Sequence, residues 1–433
     1  MKKKRHVTSL VALLPFVLAA PAAEIAMAAP VVAAQLRNPT LNPVLFVHAV
    51  LEKNRDIKVQ NAVHSAAVAR ITSAGALDDP MVSYAAAPET AGMPIGYRQS
   101  IQFSQAIPWP GVLSLRERAA TAEAGSAEYQ FADTRLRLAA KARATYADWY
   151  YVHKALAINA TDITLVGHLK SVARAAYASG QAPQQDVLRA EVELLRLQNQ
   201  ALELNRRETA VQAEVNQLLD ATPDAPVAPP GDLPEPPLAA TLDTLTSAVL
   251  AQNPALKGWD KQIAASHDRV ELAEDGFLPN FNFIAGDNQL MAPWQKQYTV
   301  GVAINIPIGA KHSGDLDEAH AKLNQSQQHY FAVRDRLLAD LNQTYAAVKQ
   351  LRSTIDLYDK QLVPVADLDL HAAEADYSNG SGDFTKLIAA EQQYLMVGLE
   401  RERARADYFT EFAALDYQTG GTIFADNQEG VTP

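Results

Sequence analysis

The clearest pattern along the chain is the alternation over residues 298–306. Tyr298, Val300, Val302, Ile304 and Ile306 are large and apolar, while Thr299, Gly301, Ala303 and Asn305 between them are small or polar. A period of two is that of a β-strand with one apolar face. Residues 97–107 repeat it, with Ile101, Phe103 and Ile107 on one face and Ser100, Gln102 and Ser104 on the other. Partner strands are predicted at Met81 to Ala87 and Phe281 to Ala285, the latter carrying Phe281 and Phe283. The period then lengthens. Leu316, Leu323, Tyr330, Leu337, Thr344, Leu351 and Tyr358 recur at every seventh position, and Val365 continues the row. Such a row predicts a long helix with a persistent packing seam. Phe131, Leu138, Thr145 and Val152 form a counterpart row, and no proline interrupts residues 111–182 or 311–363. A helix of about 65 residues would extend ~100 Å. Further on, Leu188, Val192, Leu195 and Leu202 make one apolar row, and Leu194, Leu197 and Leu204 make a second on a neighbouring face. A helix with two rows can touch a neighbour on each side, which suits a ring of helices.

These elements occur twice. Leu51, Asn54, Lys58, Ala66, Ala74 and Pro80 recur as Leu250, Asn253, Lys257, Ala265, Ala273 and Pro279, an offset of 199 (Leu250 against Leu51). Ile107-Pro108 recurs as Ile306-Pro307, and Thr145-Tyr146-Ala147 as Thr344-Tyr345-Ala346. One residue later in register, Tyr177, Gly180, Ala190 and Glu191 recur as Tyr377, Gly380, Ala390 and Glu391. Solenoid repeats run at roughly 20–50 residues, so this is a whole structural half copied in tandem. The expected units are 29–220 (strands at about 80–107, a helical hairpin tip at about 177–186) and 238–420 (strands at about 279–307, tip at about 377–386). Between them, residues 221–237 carry Pro223, Pro226, Pro229, Pro230, Pro234, Pro236 and Pro237, which predicts an extended strap, because proline fixes φ and lacks an N–H. Residues 421–433 read as a flexible tail.

Residues 1–28 have the form of an export signal: Lys2, Lys3, Lys4 and Arg5, an apolar stretch from Val7 to Ala20, and Ala26-Met27-Ala28 as a small-x-small cleavage site. Removing it takes away four cations and Glu24, so the net charge moves from −11 to −14. That balance argues against nucleic acid and against adhesion to anionic lipid. The chain has no cysteine, which excludes disulfides, thiolate metal sites and cysteine nucleophiles. Beyond the signal no segment reaches about 18 consecutive apolar residues, so any passage through a membrane must use β-strands. Tyr84, Tyr97, Trp109, Trp294 and Tyr298 sit near strand ends, where a bilayer interface favours amphipathic rings. Four strands cannot close alone, since the smallest barrels use about eight. Open edges in lipid would leave N–H and C=O groups unpaired at several kcal/mol each. Strands in a membrane therefore require several chains to share one barrel, with the long helices projecting away as a tube.

With these features in place, the chain resembles the TolC-type outer-membrane efflux proteins over about residues 40–420. The resemblance is carried by Tyr177, Gly180, Asp186, Val187, Leu188, Ala190 and Glu191, by their partial copy Tyr377, Gly380, Leu387, Ile388, Ala390 and Glu391, and by Ser104 to Gly111. It implies a mainly α fold with a membrane β part: a homotrimer with a twelve-stranded β-barrel, to which Ile101, Phe103, Phe281, Phe283, Val300, Val302 and Ile304 contribute, and a twelve-helix α-barrel. It implies location in the outer membrane, contact with its lipid, and docking onto a periplasmic adaptor (membrane fusion) protein with an inner-membrane pump of the RND type or an ABC exporter. The docking tips would be Tyr177, Gly180, Asp186, Tyr377, Gly380 and Lys386. Relatives carry constriction acids after the second turn; Lys386 and Ala389 occupy those positions here, leaving Asp186, Asp376 and Asp383 as candidate gate acids. The Pro108-Trp109-Pro110-Gly111 exit resembles the heavy-metal branch, and an acidic duct suits cations, so drugs and metal cations both stand as cargo.

No His-Glu-x-x-His, phosphate-binding glycine loop or Gly-x-Ser-x-Gly elbow is present. His312, His320 and His329 fall eight and nine residues apart, not at the i, i+4 spacing of a shared metal. The expectation is a passive exit duct, no enzyme, with no cofactor and no metal site. The alternatives are the outer-membrane component of type I protein secretion, on the same architecture, and a soluble periplasmic coiled-coil scaffold with two small hairpins.

Overall fold

A computed structural model of the chain describes residues 40–87, 98–288 and 298–423. The expected export signal (1–28), Tyr97, Trp294 and most of the expected tail lie outside those residues. The first half runs α1 (Pro43–Lys53), α2 (Arg55–Ala74), β1 (Met81–Ala87), β2 (Arg98–Ile107), α3 (Val112–Ala178) and α4 (Gln184–Leu218). The second runs α5 (Leu242–Gln252), α6 (Pro254–Glu274), β3 (Asn280–Asn288), β4 (Tyr298–Asn305), α7 (Ala310–Leu357), α8 (Val363–Ser378) and α9 (Phe384–Gln418).

Matching asparagines turn the chain in both halves. Asn54 caps α2 by accepting from Asp56 N–H at 2.9 Å, and its Nδ2 donates to Leu218 O at the end of α4. Asn253 accepts from Ala255 N–H at 2.9 Å and donates to Gln418 O at the end of α9. Each side chain satisfies a free donor at a helix start and an orphan carbonyl at a helix end. The proline-rich segment between α4 and α5 has no helix. It lies beside Leu41, whose N–H donates to Pro229 O at 2.8 Å, and Gly231 N–H donates back to Leu41 O at 3.0 Å. Trp149 Nε1 donates to Ala228 O at 3.0 Å and Tyr408 Oη to Pro236 O at 2.5 Å. Tyr146, fully buried, sets its hydroxyl 2.9 Å from Leu41 O and 3.1 Å from Gly231 O.

The strands form one antiparallel sheet in the order β1-β2-β3-β4. The register lines up the apolar positions: Val82 opposite Phe103, Phe103 opposite Ala285, Ala285 opposite Val300, and Phe281 between Ile107 and Ile304. The other face carries Ser83, Ser100, Gln102, Ser104, Asn282, Thr299 and Gly301. Gly286 is required there, because a Cβ would lie 2.7 Å from Ile101 O. Among the described residues the apolar face is largely uncovered; Val300 is 87% exposed. The outer edges of β1 and β4 have no partner strand among the described residues.

The helices pack side by side. Near the sheet, α3 lies between α2 and α6, and α6 touches α7; towards the far end, α3 lies between α4 and α9, and α9 packs on α7 and α8. The α7 seam departs from the heptad expectation. Leu337 and Thr344 are buried, but Val365 is exposed and Ala366 is buried in its stead. The cause is a π turn at Tyr358–Leu362. A π turn inserts one residue into the helix, so the position that would follow Tyr358 by seven now follows it by eight. The turn is tied down from α9: Arg405 pairs with Asp359 at 3.0 Å, and Tyr358 Oη donates to Glu400 at 2.7 Å.

Candidate functional site

The structure has two chemically distinct ends, the sheet and the pair of helical hairpin tips. At the first tip α3 closes with Gly180 at φ +74°, and Gln181 N–H reaches back to Ala176 O at 2.8 Å. At the second, Gly380 sits at φ +71°, and Gly382 N–H reaches Asp376 O at 2.9 Å. These are glycine C-caps, with the left-handed conformation that an L side chain resists. A Cβ on Gly382 would lie 2.8 Å from Tyr377 N, so this turn is tighter than the first, where Ala182 stands at the matching place.

The repeated tyrosines part company. Tyr377 is buried, with its ring edge-on to Phe384 at 5.0 Å and its hydroxyl donating to Asp186 Oδ2 at 3.2 Å. Burial first, then the Asp186 carboxylate, pushes the Tyr377 phenol up to about 12. Tyr177 is about half exposed. Asp186, in the first turn of α4, is itself buried and so holds the two hairpins of one chain together. Asp383 is exposed and caps α9, accepting from Thr385 N–H at 2.8 Å; that bond holds its carboxyl below the ordinary range. Arg189 of α4 also meets Thr385. A cleft of about 620 Å³ between the hairpins is lined by Ala182, Pro183, Asp186, Tyr377, Gly380 and Asp383. The structure thus brings Asp186, Tyr377, Gly380 and Asp383 together, while Tyr177, Asp376 and Lys386 point to solvent. Phe384, Arg189 and Thr385 were missed in the sequence; Phe384 had one available signal, an aromatic directly after a helix cap.

At the other end, Ile101, Phe103, Phe283, Val300, Val302 and Ile304 are all exposed and share one face with Phe281. Trp109 stacks on Phe281 at 6.0 Å, at the junction of sheet and helices. No described helix is long and apolar enough to cross a membrane.

A sequence profile of the family described as Outer membrane efflux protein matches residues 245–421. The second repeat thus resembles the TolC-type outer-membrane efflux family. Proteins of that family are channels of the outer membrane, not enzymes. Solved structures agree on the fold. The outer membrane protein VceC from Vibrio cholerae is 17% identical with a TM-score of 0.75, over 88% of this chain and 96% of that one. The CmeC outer membrane channel of Campylobacter jejuni gives 14% and 0.77, over 89% and 88%. The open-state MtrE outer membrane channel of Neisseria gonorrhoeae gives 15% and 0.74, over 87% and 88%. Among curated proteins none matches by sequence.

Proposed function

We propose that the protein is the passive outer-membrane exit duct of a tripartite efflux system, built from three copies and passing small solutes such as drugs or metal cations. One observation carries the assembly: both the sheet and the helical layer end in complementary open edges. Among the described residues α3 packs on α2 and α6 near the sheet and on α4 and α9 beyond it, but its counterpart α7 packs on α6, α9 and the short α5. The unmet neighbours of α7 correspond to α2 and α4, and these two helices expose apolar rows of their own: Val59, Val63 and Val68 on α2, and Leu188, Val192, Leu195 and Leu202 on α4. α7 and α8 answer with Phe331, Leu357, Val365 and Leu368. Joining copies edge to edge would bury these rows and pair β4 with β1 of the next copy, which removes the unpaired strand edges that lipid does not tolerate. Three copies of a four-stranded sheet give twelve strands.

In that assembly the apolar sheet face meets lipid and the polar, small-residue face lines the pore. The tips then stand at the periplasmic end, where Tyr177, Gly180, Asp186, Tyr377, Gly380 and Lys386 would meet an adaptor and, behind it, the pump that supplies the energy. Asp186, Asp376 and Asp383 remain the candidate gate acids, with Asp186 closing the tip through Tyr377 and the exposed Asp376 and Asp383 facing the solute path. Since the chain has no cysteine, Tyr177→Cys and Lys386→Cys provide unique crosslinking points. Heat-modifiable trimers in outer-membrane extracts, with crosslinks from both positions to a co-expressed adaptor, are expected. Recovery as a monomer, or crosslinks from neither position, would overturn the assignment. In planar bilayers, Asp383→Ala is expected to lower cation preference; an unchanged preference would remove Asp383 from the path.

A further inference from the structure

Roughly two turns, about 12 Å, beyond the second tip along α9, three helices bring carboxyl groups into one buried junction. Asp162 of α3, Glu193 of α4 and Glu391 of α9 are all inaccessible to solvent or nearly so. Glu193 is provided for, accepting from Arg196 Nε at 2.9 Å and from Gln392 Nε2 at 2.6 Å. Glu391, at 0% exposure, has no hydrogen-bond partner on either oxygen, and neither has Oδ2 of Asp162. One turn along each helix, Val166, Leu197 and Leu395 close the same seam with apolar packing. The repeat-equivalent Glu191 differs, because it pairs with Lys170 and stays partly exposed.

An ionised carboxylate with no donor, buried beside two others, is among the costliest arrangements a protein interior can hold. Something must neutralise it. The charged groups acting on Glu391 are Glu193 and Arg196 from α4 and Asp162 from α3. A single arginine already bonded to Glu193 does not offset three acids. Nor do the three carboxyls converge tightly enough to share one metal ion. Among the described residues only His267, Asp268 and Glu271 do so, and Arg118 already pairs with both of those acids. The remaining neutralising ligand is a proton. Burial, then Glu193 and Asp162, pushes the Glu391 carboxyl up to about 8, and burial with Glu193 pushes Asp162 up to about 6.

We propose that this junction is a proton-operated latch: with Glu391 and Asp162 neutral, α3, α4 and α9 close on one another, and loss of the protons loosens the seam between the two hairpins. Both acids hold their protons to higher pH in the folded seam than in the open chain. The closure they contribute is therefore complete below the ordinary carboxyl range and is lost as pH rises through about 6 and then about 8.

The test is hydrogen–deuterium exchange on the full chain purified in detergent, read on residues 155–170, 187–200 and 386–398 and corrected for intrinsic exchange from pH 5.5 to 8.5. One linked proton raises the opening equilibrium by up to about tenfold per pH unit. That slope is expected in the unaltered protein above pH 6, and it should be flat in Glu391→Gln. Asp162→Asn removes a like charge, so it should move the Glu391 midpoint to lower pH, a second reading should Glu391→Gln fail to fold. A flat profile in the unaltered protein, or a midpoint that Asp162→Asn leaves in place, would overturn the latch. No transport is measured, so the outcome is independent of whether the protein proves to be an exit duct.

Discussion

The two repeats share an order of elements but not an environment. α2 buries none of its residues, whereas its counterpart α6 buries seven, among them Leu256, Ala265 and Val270. The difference follows from position: among the described residues α6 is flanked by α3 and α7, whereas α2 packs chiefly on α3. In the same way α3 buries Tyr146, Ala147 and Val152 at full depth, while α7 is half covered along most of its length. Similar sequence patterns with unlike burial fit the proposed assembly, in which the chain is one arc of a larger wall, closed at its interior repeat boundary and completed by another copy at its outer ones.

The largest effect should come from breaking an outer boundary. Leu195→Glu together with Val192→Glu places charges on the exposed row of α4. If another copy covers that row, each buried ion costs several kcal/mol, and the heat-stable trimer band in gels should disappear while helical circular dichroism persists. A trimer that survives would dissolve the comparison.

The matched asparagines test the opposite limb, since Asn54 and Asn253 lie where the repeats should be equal. Asn54→Ala and Asn253→Ala each remove a helix cap and a buried bond to a helix end, so each should cost about 1–2 kcal/mol in denaturant unfolding. Widely unequal losses would show that the repeats differ even at this joint. The tyrosines sharpen the contrast between interior and edge. Tyr146→Phe removes the buried hydroxyl donor shared by Leu41 O and Gly231 O, a loss of about 1–2 kcal/mol, whereas Tyr345→Phe at the matching half-buried place should be near neutral. The smallest effect belongs to the tip: Tyr377→Phe removes one bond to Asp186, about 1 kcal/mol, and Tyr177→Phe none. Resting conductance in planar bilayers should rise for the first and stay unchanged for the second.

Much of the architecture is written in local pattern. The alternation of Val300, Val302 and Ile304 identified a strand with one apolar face, and the glycines after Tyr177 and Tyr377 marked helix ends, because period and backbone freedom are properties of a few adjacent residues. The strand over Phe281 to Ala285 was legible but too short in that reading, since Gly286, Asp287 and Asn288 are weak strand formers held by pairing to β2. At the tip, the sequence pointed to Asp186 as an acid near a turn without revealing that it is buried.

Composition, period and duplication by themselves determined that this is a long-helix protein with two strand hairpins, each with one apolar face; that this face lies open was visible only in the structure. Only the tertiary structure decided which side chains meet: Tyr377 with Asp186, 191 positions away, Glu391 with Asp162 and Glu193, and Ala366 rather than Val365 in the seam. The reason is physical. A period fixes which face of a helix is apolar, but the phase of that face after an inserted residue, and the charges it meets across a seam, depend on neighbours brought together from distant parts of the chain.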